Sequence, residues 1–102
     1  MKIIEKLSTM ISDELDDAEK YIDNAIECKA TDRHLADTFY ELSTQEMNHM
    51  NMLHGEVVRL IDEYRQKSGD PPVSMMAVYE YLHKKQTNRA AVIKTKQNMY
   101  RE

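Results

Sequence analysis

Glycine and proline are scarce, two of each in 102 residues. That scarcity excludes a fold of many short elements joined by tight turns, and long uninterrupted segments are expected instead. A single cysteine, Cys28, cannot build an internal disulfide framework, so the expected setting is reducing and cytoplasmic. No apolar run approaches the roughly 20 residues of a membrane-crossing helix, and no signal-peptide core is recognisable. The chain also lacks a Gly-rich phosphate loop, a Ser/His/Asp arrangement and a Cys-x-x-Cys pair. With a formal net charge of -4, nucleic acid is not an expected partner. One soluble domain is expected.

Charge is abundant but uneven. Residues 1–74 carry 8 Lys/Arg against 16 Asp/Glu, a net -8, while residues 75–102 carry 6 against 2, a net +4. A basic last segment is expected to dock on an acidic hairpin rather than on a membrane or nucleic acid.

Hydrophobic spacing of three and four predicts three helices and no strand, an all-α chain. The first runs from about residue 3 to 29 with the apolar row Ile4, Leu7, Ile11, Glu14, Ala18, Tyr21, Ala25, Cys28. "KATDRH" breaks the pattern, with Thr31 or Asp32 as the cap of the next helix. The second runs from about 33 to 67, with Leu35, Phe39, Leu42, Glu46, His49, Leu53, Leu60 and Tyr64 in the row. Gly55 lies in its interior and is expected to mark a close helix contact or a mild kink. "SGDPPVS" ends it, Gly69 supplying a left-handed cap, and Ser74 is expected to cap a third helix from about 75 to 100. That helix has a weaker row: Met75, Tyr79, Leu82, Gln86, Ala90, Ile93, Tyr100.

Two of these rows contain ionisable groups where leucine belongs. The short connection makes the first two helices an antiparallel hairpin. Glu14 lies sixteen residues before the turn at residue 30 and Glu46 sixteen after it. At 1.5 Å per residue, both sit about 24 Å from the turn, on one level and one inner face. His49 follows one turn along. A leucine at such a position would contribute about 1.5–3 kcal/mol, whereas a buried unpaired charge costs several. Three together threaten a domain whose whole stability is about 5–15 kcal/mol. A cation offsets that cost, and carboxylates with imidazole suit iron or manganese.

These residues resemble the rubrerythrin/ferritin-like di-iron carboxylate family. Glu14 followed seven residues on by Tyr21 is similar to the first-helix pattern of rubrerythrins, and "FYELSTQEMNH", Phe39 to His49, to their second-helix motif. The likeness covers about residues 7–65. It implies a helical bundle whose site takes one Glu from each of two helices and a Glu-x-x-His from each of the other two. It implies further that Glu14 is a terminal carboxylate ligand, Glu46 a bridging one and His49 a terminal nitrogen ligand. Tyr21 would then be the hydrogen-bonding group that orients a ligand across the bundle.

The chain holds only half of such a set. Glu80-x-x-His83 would supply more ligands, but a third helix folding back along the second puts Glu80 level with residue 62 or 63, about 25 Å from Glu46. Glu80 and His83 are therefore read as surface or capping groups. His34, His54, Asp17 and Glu56 are read as solvated, Cys28 as a small core residue, and the eight methionines as packing rather than copper ligands.

The expected protein is a ferritin-like four-helix bundle completed by homodimerisation. It would hold two irons (or manganese) per dimer and oxidise ferrous iron with dioxygen or peroxide. The alternative is a non-catalytic helical interaction protein, with or without a static metal. Cargo of an encapsulin shell is a third expectation, on a weaker similarity to encapsulated ferritins, and no docking tail is recognisable after Tyr100.

Overall fold

Nothing in residues 2–28 interrupts a helix, and the chain forms one over that whole span. The computed structural model describes residues 1–102 as three helices without a strand: α1 (Lys2–Cys28), α2 (Arg33–Ser68) and α3 (Val73–Arg101). No helix is long and apolar enough to cross a membrane. Between α1 and α2 the Asp32 carboxylate accepts the Leu35 N–H at 3.0 Å, satisfying a donor that the helix itself leaves free. Gly69 ends α2 with a positive φ of 79°, and its N–H bonds the Arg65 carbonyl at 3.1 Å. Ser74 does not cap α3. Pro72, with φ fixed at -54°, directs the chain into a helix that begins at Val73, so Ser74 already lies in its first turn. Gly55 does not mark a close contact: a Cβ there would meet nothing within 4 Å, and α2 runs through it without interruption.

The molecule is a rod of 55 × 19 × 18 Å. The 36 residues of α2, at about 1.5 Å each, account for its length. The hairpin register is pinned in its core. Ser43 is fully buried, donates its hydroxyl to the Ala18 carbonyl at 2.7 Å, and accepts the Gln97 amide at 2.9 Å. All three helices meet in this chain of hydrogen bonds. Opposing Ala18 to Ser43 also sets Glu14 opposite Glu46.

α3 lies along one flank of the hairpin only, and mostly against α1. The uneven charge explains the attachment. Arg89 pairs with Asp16 at 2.6 Å, and Lys96 with Asp23 at 2.9 Å and Glu19 at 3.2 Å. Tyr100 stacks on Tyr40 and donates its hydroxyl to Asp37. That bond, with Arg33 beside it, holds the Asp37 carboxyl below its ordinary range.

This one-sided cover moves the core from where spacing alone puts it. Ile4, Ile11, Ala18 and Ala25 are buried as expected, but Ser8, Leu15 and Ile22 join them on the side facing α3. Leu7, Glu14, Tyr21 and Cys28 are only half-buried. On α2 the deepest residues are Ala36, Ser43, Val57 and Ile61, while Phe39, Leu42, Glu46 and Leu53 are half-buried and Leu35 and His49 exposed. In α3, Ile93, Gln97 and Tyr100 are buried. The hairpin therefore has a covered flank and an open one.

Candidate metal centre

Glu14 stands midway along α1, and Glu46 and His49 one turn apart on α2, all on the open flank. One ligand-type atom from each lies within 4.8 Å of the others. His49 Nδ1 is 3.6 Å from Glu14 Oε2 and 3.7 Å from Glu46 Oε2. Those separations are too long for hydrogen bonds. They are close to the roughly 3–3.5 Å between donors that share a cation about 2.1 Å from each. Small side-chain rotations close the difference.

Burial makes the cluster costly. The side chains of Glu14 and Glu46 are 26% and 17% exposed, that of His49 53%. Glu14 Oε2 is buried and has no hydrogen-bond partner. A buried acceptor left unsatisfied costs about 1–3 kcal/mol, more when charged. No lysine or arginine pairs with either glutamate. A hard cation among the three donors would satisfy that oxygen and neutralise the carboxylates, so the residues present fit a metal such as iron or manganese. The partly exposed imidazole leaves the centre reachable from solvent.

Tyr21 lies two turns along α1 from Glu14, half-buried, with its ring stacked on Phe39 at 6.3 Å. The two rings form an aromatic wall beside the cluster on the open flank. Glu80 is exposed beside Arg65 and Asp70, far from the cluster. His54 and His83, read from sequence as unconnected surface groups, are instead half-buried and stacked on each other at 4.7 Å. Periodicity also gave no notice of Ser43 and Gln97. Their only signal was a small polar residue in the row Ala36, Ser43, Met50, Val57, seven residues apart. Met47, Met50 and Cys28 pack against the core.

No family model, no curated protein and no solved structure matches the chain.

Proposed function

We propose that this chain is a ferritin-like carboxylate protein that binds iron through Glu14, Glu46 and His49 and oxidises it at a site shared between two copies. The observation that carries the reading is the partnerless, buried Glu14 Oε2, which faces a second carboxylate and an imidazole. The residue types and their spacing support the family resemblance independently of that geometry. Three donors per chain suffice for one metal but not for a bridged pair. A two-fold operation placing two open flanks face to face would give four helices, two copies of Glu14 and two Glu46-x-x-His49 motifs. Both copies of Glu46 could then bridge, and Tyr21 would orient a ligand from across the bundle. Leu7, Phe39 and Leu53, half-buried on that flank, supply the apolar margin such a contact needs.

Ferrous iron is the substrate in this reading. Two ferrous ions give up one electron each, and dioxygen takes both with two protons and leaves as hydrogen peroxide. With peroxide as oxidant, the same two electrons and two protons yield two waters. The protein supplies carboxylates that stabilise the ferric product and an imidazole that fixes its position. The test is aerobic ferrous oxidation by the purified chain beside Glu46→Ala, with mass measured by light scattering. Faster oxidation than the variant, by a dimer or larger assembly, is expected. Equal rates reject the activity, and a monomer binding two irons per chain rejects the shared site.

A second reading keeps the metal and drops the turnover. The three donors of one chain could hold a single static ion without a second copy, and equal oxidation rates combined with metal binding would favour it.

A further inference from the structure

We propose that His54 and His83 form a proton-operated clasp, which holds the first half of α3 against the hairpin and releases it on mild acidification. The geometry comes first. The two imidazoles, one from α2 and one from α3, lie face to face with centroids 4.7 Å apart and planes 9° from parallel. Tyr79, one turn earlier on α3, stacks near His83 at 5.8 Å and extends the ladder. Direct contact between α2 and α3 is sparse. The Ser43–Gln97, Tyr40–Tyr100 and Asp37–Tyr100 contacts join α2 to the second half of α3, and the His54–His83 stack joins it to the first.

The two halves of α3 are held differently. Residues 89–101 contribute the buried Ile93, Gln97 and Tyr100 and the ion pairs to α1. Residues 73–86 contain no fully buried side chain. Apart from the ladder, that half is tied by Gln86, which donates to the Ser8 carbonyl at 3.0 Å and the Ser12 hydroxyl at 3.1 Å, and by the Met1 ammonium on Met75. Loss of the ladder would act on the weakly held half alone.

Neutral imidazoles stack favourably, and a single proton is tolerated, but two imidazolium rings in this arrangement repel. The enclosed side of the stack offers no countercharge. The cavity beside the rings, about 230 Å³, is lined by Ile11 of α1, Met50 and Asn51 of α2, and Gln86, Thr87 and Ala90 of α3, with no carboxylate. On α2, Glu56 is already paired with Arg59 at 2.7 Å. On α3, Glu80 and Lys84 flank His83 but are exposed, and Glu5 of α1 lines a different cleft with Tyr79. Burial first, and then the charge of His83, lower the pKa of His54 from the ordinary 6.5.

The sign follows. A depressed histidine keeps the closed state from taking a proton that the open state accepts below pH 6.5. Closure is therefore fully favoured above that pH and weakens as pH falls below it. Opening would bare the apolar cleft of about 280 Å³ between Ile4, Met75, Tyr79 and Leu82. The device is independent of the metal centre on the opposite flank.

Hydrogen exchange on the full chain tests it, read as protection factors so that the intrinsic pH dependence of exchange is removed. Between pH 7.5 and 5.5, protection of residues 75–85 should fall about tenfold while that of 93–100 stays level. His54→Phe keeps a stacking ring without a titrating proton and should flatten the profile, and His54→Gln should flatten it while lowering protection at every pH. A flat profile in the unaltered chain overturns the clasp, and so does a slope that survives in both variants.

Discussion

The two flanks of the hairpin are built from the same heptad-like rows, yet only one is finished. On the covered flank, Ser8, Leu15, Ile22, Ser43 and Ile61 are sealed, and no fully enclosed side-chain nitrogen or oxygen there lacks a partner. On the open flank, Phe39, Leu53 and Tyr21 remain half-exposed, and the one fully enclosed side-chain oxygen without a partner, Glu14 Oε2, lies among them. The difference teaches where stability ends and function begins. α3 supplies apolar surface, amides and cations to one side. The other side keeps polarity that nothing in the chain answers, which is what a ligand site or a second copy requires.

The contrast is sharpest for core truncation. Leu15→Ala, on the covered side, should lower unfolding free energy by about 2–5 kcal/mol, measured by urea denaturation. Leu53→Ala, on the open side, should cost the metal-free chain clearly less, and its effect should grow with protein concentration if two open flanks pair. Equal costs, independent of concentration, would erase the distinction between the flanks.

Metal should stabilise only through the open side. Ferrous iron held anaerobically at about a hundred times its dissociation constant should add about 2.7 kcal/mol, seen as a higher melting temperature. Glu46→Gln and His49→Leu should leave the metal-free protein folded, at least as stable as before, and indifferent to iron. Unfolding of either variant would make the triad a structural network instead. On the covered side, Ser43→Ala should cost about 1–3 kcal/mol, because it strands the buried Gln97 amide. Near-neutral behaviour there would mean that the three-helix junction relaxes freely. The smallest change has the opposite sign: Gly55→Ala should stabilise by up to about 1 kcal/mol, since the added methyl meets open space within a continuous helix.

Much of this was legible in the residues, for identifiable reasons. Helix positions followed from spacing, the Asp32 and Gly69 caps from their residue types, and the level of Glu14 and Glu46 from counting outward along two helices of equal rise. The docking of α3 followed from opposite charges. Lateral placement was not legible. Periodicity names a face of a helix but not which neighbour covers which edge of it. Leu7 and Tyr21 were therefore expected in the core, where Ser8, Leu15 and Ile22 in fact lie. The His54–His83 stack was hidden for the same reason: each residue alone looks like surface, and only the register between α2 and α3 brings them together.

An anaerobic ferrous titration of the purified chain, beside the Glu14→Ala/Glu46→Ala/His49→Ala triple variant, addresses the open flank most directly. Binding should saturate near one iron per chain in the unaltered protein and lose its tight phase in the variant. Unchanged tight stoichiometry in the variant would place the metal elsewhere and leave the orphaned Glu14 oxygen without an explanation.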